Sequence, residues 1–155
     1  MRPFPAIRRA QPSDAEDIGR LLHDFNTEYE EETPGPGVIA ARLRPLMESG
    51  ETAALLIGDG PDGLALMRFR PSIWIEGLEC YLAELYVVPD LRGQGRGRAL
   101  MDAAIDFARS RGAGYMELNT GEADVAARAL YESLGFSRTE GKPDGDLTYY
   151  YERNL

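Results

Sequence analysis

The segment Val88-Pro89-Asp90-Leu91-Arg92-Gly93-Gln94-Gly95-Arg96-Gly97-Arg98 carries most of what this chain reveals about its fold. It follows residues 80–88, an apolar run rich in aromatic and β-branched residues, and it precedes residues 98–111, where apolar residues recur at helical spacing. A continuous apolar run is typical of a central strand that is covered on both faces. The segment is therefore predicted to join a central strand to a helix in a mixed α/β protein.

The same segment has the features of an anion site. Three glycines at alternate positions let the backbone approach a ligand closely. A helix that begins here presents unpaired N–H groups and a partial positive charge at its N-terminus. Arg92, Arg96 and Arg98 add positive charge locally, in a chain whose formal net charge is −9. Together these features predict a site for a phosphate or pyrophosphate group.

Three other interpretations fit the spacing less well. A nucleoside-triphosphate loop ends in Gly-Lys-Ser/Thr, whereas this segment has Gly-Arg-Ala at 97–99. A dinucleotide fingerprint reads Gly-x-Gly-x-x-Gly, whereas Gly93, Gly95 and Gly97 are spaced by two throughout, although Glu117 lies about where that motif has its ribose-binding carboxylate. A plain tight turn needs one glycine rather than three flanked by arginines.

Periodicity and turn residues predict the remaining elements. Ser13 and Glu16 have the spacing of a capping box at the start of the first helix. Pro45 is expected to kink or shorten the second helix. The predicted order in a single domain of residues 1–155 is a strand at 6–9, helices at 14–26 and 38–47, strands at 52–57, 64–70 and 80–88, a helix at 98–111, a strand at 115–118, a helix at 126–134 and a closing antiparallel pair at 136–140 and 147–151.

Composition argues against several classes of protein. The excess of 26 acidic over 17 basic residues disfavours nucleic-acid binding, and no apolar run has the length that a membrane helix needs. The single cysteine, Cys80, cannot form an internal disulfide, which predicts a cytoplasmic location. Glu28, Glu30, Glu31 and Glu32 form an acidic cluster that either recruits a cationic substrate or is a solvated loop.

Two motifs resemble those of the GNAT superfamily of N-acetyltransferases, whose acetyl-CoA loop has the pattern Gln/Arg-x-x-Gly-x-Gly/Ala. Arg92, Gly95 and Gly97 match this pattern, and Leu85-Tyr86-Val87-Val88-Pro89 is similar to the strand before that loop. Residues 127–136, Ala-Arg-Ala-Leu-Tyr-Glu-Ser-Leu-Gly-Phe, resemble the later signature of the superfamily. The resemblance implies a GNAT-like fold, with a mixed, mostly antiparallel sheet of six to seven strands flanked by about four helices.

The resemblance also implies acetyl-CoA as a co-substrate, with no metal. The pantetheine arm would pair with the end of the central strand, the glycine backbone would hold the pyrophosphate, and an arginine of the segment would reach another phosphate. Many members have asparagine where this chain has Asp124, so Asn119 or the local backbone is the alternative contact. The expected cofactor-binding residues are Tyr86, Val87, Val88, Arg92, Gly93, Gln94, Gly95, Arg96, Gly97, Arg98, Asn119, Asp124 and Ala127.

Two residues have catalytic roles by resemblance. Tyr131 matches the tyrosine that protonates the departing thiolate, and its alternative role is that of a core aromatic. Glu84 lies where related enzymes keep a carboxylate that orients or deprotonates the amine, and its alternative is an edge or ion-paired glutamate. Strict strand alternation predicts that Glu84 shares a face with Leu82 and Tyr86.

The leading hypothesis is an enzyme that transfers an acetyl group from acetyl-CoA directly to a primary amine, and a small, cationic acceptor is preferred over a protein. The alternative is a non-catalytic acyl-CoA-binding module, which needs the glycine segment but neither Tyr131 nor Glu84. Neither nucleic acid nor a membrane is an expected partner. The sequence leaves open whether the chain forms a homodimer.

Overall fold

The structure, a computed structural model, describes residues 4–155. The chain divides into two compact units, Met1–Glu117 and Leu118–Leu155. Among the described residues, the first unit contains a β-sheet and three α-helices, and the second contains one α-helix. The elements are β1 (Ile7–Arg9), α1 (Ala15–Glu28), α2 (Pro36–Glu48), β2 (Thr52–Ile57), β3 (Gly63–Pro71), β4 (Leu78–Val87), α3 (Arg96–Ser110), β5 (Ala113–Glu117) and α4 (Val125–Ser133).

The sheet has the strand order β1-β2-β3-β4-β5. The first four strands pair antiparallel, whereas β4 and β5 are parallel and are joined through α3. The parallel ladder pairs only residues 78–81 of β4 with residues 113–117 of β5. Residues 82–87 of β4 therefore have no partner strand on that side within the described sheet, and they end directly before the glycine segment.

Helices cover both faces of the sheet. All six residues of β2 are buried, as expected for a strand with packing on each side. One face carries α1 and α2, whose Ile18, Leu21, Leu43 and Met47 join a cluster with side chains of β2, β3 and β4. The other face carries α3, which buries Leu100, Met101, Ala104 and Ala108. Each fully buried large apolar side chain contributes about 1.5–3 kcal/mol, so the two layers hold β4 firmly.

The start of α1 differs from the prediction. Ser13 and Glu16 form no capping box, and the helix begins at Ala15 without a side-chain cap. Asp14 instead accepts a hydrogen bond from the Gln11 N–H at 2.7 Å and two from the Arg8 guanidinium at 2.9 Å. The bond from Arg8, with that from Gln11, outweighs desolvation and lowers the pKa of Asp14 to about 2. A charge-assisted pair is stronger than a neutral serine cap, which explains the difference.

The second helix tolerates its proline. Helix α2 begins earlier than predicted, at Pro36, because proline suits the first helical position, where no N–H is needed. It continues past Pro45 to Glu48, and the Pro45 carbonyl still accepts a hydrogen bond from the Ser49 N–H at 3.1 Å. The predicted shortening was wrong: Pro45 removes one N–H donor, and the helix still runs three residues beyond it.

A third difference from the prediction concerns the closing strands. Within residues 4–155 the sheet has five strands rather than six to seven, and the segments 136–140 and 147–151 share only the bridge Thr139–Leu147. Ser137 Oγ accepts the Thr139 N–H at 3.2 Å, and Thr139 Oγ1 donates to the Lys142 carbonyl at 2.7 Å. Such local side-chain bonds compete with a ladder, which accounts for the short pairing. The mixed, mostly antiparallel sheet and the four α-helices of the described residues agree with the predicted fold class.

Candidate functional site

The glycine segment forms an open turn before α3. Gly93 has φ +72° and Gly95 has φ +85°, conformations that favour glycine. A Cβ placed on Gly93 would meet no atom within 4 Å, so the space in front of the turn is open. The first helical hydrogen bond of α3 runs from the Ala99 N–H to the Gly95 carbonyl at 3.0 Å. The turn thus leaves room for a ligand at the N-terminus of α3.

Hydrogen-bond donors line this open side. Within residues 4–155, the backbone N–H groups from Gly93 to Gly97 donate no hydrogen bond to the protein. Arg96 donates from Nη1 to Gln94 Oε1 at 2.8 Å, whereas its Nε is buried and has no partner in the described chain. Free main-chain donors with a positive helix end fit a diphosphate. The residues present therefore fit the acetyl-CoA pyrophosphate expected from the sequence.

At the end of β4, some backbone N–H groups are bonded to the neighbouring strand and others are available to a ligand. The Val88 N–H donates to the Asp62 carbonyl at 2.9 Å, so it is already used by the protein. In an antiparallel ladder successive residues direct their backbone groups to opposite sides. Val88, Tyr86 and Glu84 therefore direct their N–H groups toward β3, and Val87 directs its own toward the side that lacks a partner strand. Of the two valines expected to contact the cofactor, Val87 has the available N–H.

The side chain of Arg92 makes hydrogen bonds within the protein. Its Nε donates to the Val87 carbonyl at 2.8 Å, and its Nη2 donates to the Glu28 carboxylate at 2.9 Å. The guanidinium carbon also lies 5.5 Å from the centre of the Tyr86 ring, within range of a cation–π contact. Glu28 lies 64 positions earlier in the chain, and no local sequence signal links the two residues.

A β-bulge sets the direction of Glu84. Leu66 pairs with Glu84 whereas Met67 pairs with Leu82, so Ala83 is an extra residue in β4. Paired residues share a face, so Glu84 lies with Leu66 on the α1/α2 side, and Leu82 lies with Met67 on the opposite side. The prediction that Glu84 and Leu82 share a face was wrong, because alternation assumes an unbroken ladder. The shared face of Glu84 and Tyr86 was predicted correctly.

The environment of Glu84 suits proton transfer near neutral pH. Burial, with a smaller contribution from the negative charge of Glu31, raises the pKa of Glu84 to about 7. Glu31 belongs to the turn after α1, where Glu30 has φ +56° although it is not a glycine. In this turn the Glu31 N–H donates to the Asn26 carbonyl at 2.9 Å and the Glu30 N–H donates to the Thr27 carbonyl at 3.1 Å, the pattern of a Schellman cap. Glu31 of the acidic cluster is therefore near enough to Glu84 for its charge to act on it.

The second unit holds the later motif. Tyr131 lies on α4 with its ring edge-to-face against Phe136, 6.1 Å between centres. Burial, with a smaller contribution from Asp124, raises the pKa of Tyr131 to about 12, so the hydroxyl keeps its proton at neutral pH. Asp124 is the N-cap of α4 and accepts the Ala127 N–H at 3.2 Å. Asp124 and Ala127 thus bond to each other, and Asn119 lies in the segment before the helix.

Comparison with known proteins identifies the family. The family model described as Acetyltransferase (GNAT) family matches residues 17–136. The chain belongs to the GNAT family of acetyltransferases. This family uses acetyl-CoA as its co-substrate. The family match and the named acetyltransferase relatives make this GNAT chain an enzyme.

Two relatives and a crystal structure illustrate the similarity of this GNAT chain to known proteins along most of its length. A structure from Arthrobacter sp. FB24, described as a candidate acetyltransferase, is 41% identical with a TM-score of 0.89 and covers 100% of this chain and 99% of its own. The N-acetyltransferase YhfO of Bacillus subtilis is 29% identical over 87% of this chain and 91% of its own length. The streptothricin acetyltransferase of Streptomyces lavendulae is 30% identical over 84% of this chain and 80% of its own length.

The helices of this GNAT chain differ from membrane spans. Among residues 4–155, no helix combines the length and the apolar character needed to cross a bilayer.

Proposed function

We propose that this GNAT enzyme transfers the acetyl group of acetyl-CoA directly to the primary amine of a small, cationic molecule. The observation that carries the proposal is Glu84, a half-buried carboxyl with a pKa of about 7 that lies on the α1/α2 face of the sheet and feels the charge of Glu31 in the turn after α1. A base is most effective when its pKa lies near the working pH. A lysine-like amine has a free pKa of ~10.4 and must lose a proton before it can attack a thioester.

The proposed reaction divides the work among four groups. The backbone N–H groups from Gly93 to Gly97 hold the pyrophosphate, and acetyl-CoA supplies the thioester. Glu84 accepts the proton of the ammonium, directly or through water, and the amine nitrogen then bonds to the thioester carbon. The Val87 N–H, on the open side of β4, stabilises the negative charge on the carbonyl oxygen. The carbon–sulfur bond breaks, and Tyr131 donates its proton to the thiolate. The acylated nitrogen then loses its second proton, which restores the Tyr131 phenol, and Glu84 passes the first proton to solvent, so one proton is released per acetyl group transferred.

The acceptor class rests on charge. Ammonium groups are attracted to a surface of net charge −9, and the turn after α1 carries Glu30, Glu31 and Glu32, of which Glu31 acts on Glu84. A relative of similar length is named for the acetylation of streptothricin. Both points favour a small cation over a protein acceptor.

The proposal extends to the setting of the enzyme. We expect it to work as a single domain of residues 1–155 in the cytoplasm. Cys80 is buried, and burial raises the pKa of its thiol to about 11, so it is an unreactive strand residue that suits a reducing compartment.

The decisive experiment combines binding and turnover. Calorimetry with coenzyme A should give saturable heat, and thiol release from acetyl-CoA should depend on an added amine. A panel of diamines, neutral amines and peptides with free N-termini should show the highest kcat/KM for the diamines. Tight coenzyme A binding without amine-dependent thiol release across the panel would refute the proposed transfer, and a preference for peptides would refute the acceptor class.

A further inference from the structure

The guanidinium of Arg92 contacts three protein groups while part of it stays exposed. It donates to the Val87 carbonyl at 2.8 Å and to the Glu28 carboxylate at 2.9 Å, and it lies over the Tyr86 ring. The side chains of both charged partners are partly covered, Arg92 at 42% and Glu28 at 28% exposure. A guanidinium in such a bridge is held by directional donors that a lysine could not duplicate.

These contacts fix one peptide group at both of its ends. The carbonyl of the Val87–Val88 peptide accepts from Arg92, and its N–H donates to the Asp62 carbonyl at 2.9 Å. Because a peptide group is planar, two such bonds define its orientation. The preceding N–H, that of Val87, is the one that the proposed reaction directs at the thioester carbonyl. The position of this donor therefore depends on Arg92.

The ion pair between Arg92 and Glu28 also connects the end of β4 to helix α1. Glu28 is the last residue of α1, and the turn that follows carries Glu31, which acts on Glu84. A second contact runs in parallel: Phe25 of α1 stacks on Tyr86 of β4, with ring centres 4.9 Å apart and planes at 17°. Helix α1 is thus attached to the end of β4 by an ion pair and by an aromatic stack.

We infer that Arg92 is a positioning residue and not a phosphate ligand: with Glu28 it fixes the Val87 end of β4 and couples that end to the turn beside the proposed base. The expected effect of Arg92 on turnover rests on the proposed function, whereas its expected effect on the backbone at Val87 and Val88 does not. The inference separates Arg92 from the neighbouring backbone N–H groups, which donate no hydrogen bond within residues 4–155 and which the proposed function assigns to the pyrophosphate.

The test compares Arg92→Gln, Glu28→Gln and the double variant with a matched control, Glu16→Gln, an exposed change in the first turn of the same helix. Each single variant should lower kcat about tenfold, because small misplacement of a transition-state donor is costly. The dissociation constant for coenzyme A should stay within about twofold, and the double variant should match either single one, as expected for one shared contact. Glu16→Gln should behave as the unmodified enzyme.

A phosphate ligand would behave differently. A rise of about tenfold or more in the coenzyme A dissociation constant of Arg92→Gln, with Glu28→Gln unaffected in kcat, would overturn the inference. Amide hydrogen exchange gives a readout without turnover: Val88 should exchange faster in both single variants than in Glu16→Gln. Unchanged Val88 exchange in both would also overturn it. If the unmodified protein transfers no acetyl group but Val88 responds as expected, the proposed function fails and the positioning role of Arg92 stands.

Discussion

Leu82 and Glu84 are two residues apart on β4, and their side chains lie on opposite faces of the sheet. The extra residue, Ala83, produces this reversal, because the ladder pairs Leu82 with Met67 and Glu84 with Leu66. Ala83 packs against the cluster beneath α1 and α2, on the same side as Glu84. The bulge brings a carboxylate to the face that carries the acidic turn, and it keeps Leu82 in the core under α3. Bulges are common beside active sites, where they redirect a side chain.

The first prediction is a pH profile set by Glu84. A base works in its deprotonated form, and the pKa of Glu84 is about 7. The value of kcat should therefore fall about tenfold per pH unit below 7 and level off above it. Glu84→Gln should lower kcat by about 10²-fold or more and remove the inflection. Steady-state rates from pH 5.5 to 9 measure both effects.

Glu31→Gln is the matched variant for this profile. Removing the negative charge near Glu84 should lower its pKa and move the inflection to lower pH while activity is retained. An inflection that persists near pH 7 in Glu84→Gln would assign the titration to another group.

The second prediction concerns stability rather than turnover. The pKa of Glu84 rises from 4.5 in the unfolded chain to about 7 in the folded protein, so folding favours the protonated form. This stabilising effect is complete below pH 4.5 and is lost as the pH rises through 7. Glu84→Gln keeps a neutral group, so at pH 8 it should be more stable than the unmodified protein by about 3 kcal/mol. Urea unfolding at pH 4.5 and pH 8 measures the difference, which must grow with pH for the assignment to hold.

Much of the fold, and the place of the candidate site along the chain, could be predicted from local patterns. The glycine segment, the apolar run of β4 and the periodicity of α3 are contiguous in sequence, so they revealed a strand, a turn and a helix N-terminus together. The shared face of Glu84 and Tyr86 followed from alternation. These features depend on residues within a few positions of one another, which is the range that sequence patterns report.

The contacts that could not be predicted depend on residues far apart in sequence. Ala83 carries no glycine or proline signal for a bulge, because the extra residue is defined by the neighbouring strand. Glu28 lies 64 positions before Arg92, and Asp62 lies far from Val88, so neither bond has a sequence signature. The closing strands were overestimated because Ser137 and Thr139 make local bonds that compete with pairing.

The third prediction separates ligand contact from backbone strain. Gly93 and Gly112 have similar positive φ values, +72° and +83°, and a Cβ on either would meet no protein atom within 4 Å. Alanine at either position should therefore destabilise the fold by a similar ~1–2 kcal/mol. Only Gly93→Ala should weaken coenzyme A binding, by about tenfold or more, because its methyl group enters the space reserved for the ligand. Calorimetry of both variants decides, and an equal loss of affinity in both would contradict this site.

The fourth prediction relieves strain at the acidic turn. Glu30 occupies the left-handed position of the Schellman cap after α1, with φ +56°. Glycine is the preferred residue there, so Glu30→Gly should stabilise the protein by about 0.5–1 kcal/mol. Glu32→Gly, two positions later and outside the cap, removes the same charge and should bring no gain. Thermal unfolding of the two variants compares them directly, and a gain in both would attribute the effect to charge instead of φ.

The last prediction tests Tyr131 as the proton donor to the thiolate. A phenol with a pKa of about 12 is fully protonated at neutral pH and can give its proton to coenzyme A thiolate as that charge develops. Tyr131→Phe keeps the ring that packs edge-to-face on Phe136, so the fold and the coenzyme A dissociation constant should change little. The value of kcat should fall by about 10²-fold, and the loss should be smaller for thioester analogues whose leaving thiol is more acidic. A uniform loss across leaving groups would mean that Tyr131 supports the site through packing and leaves protonation of the thiolate to another donor.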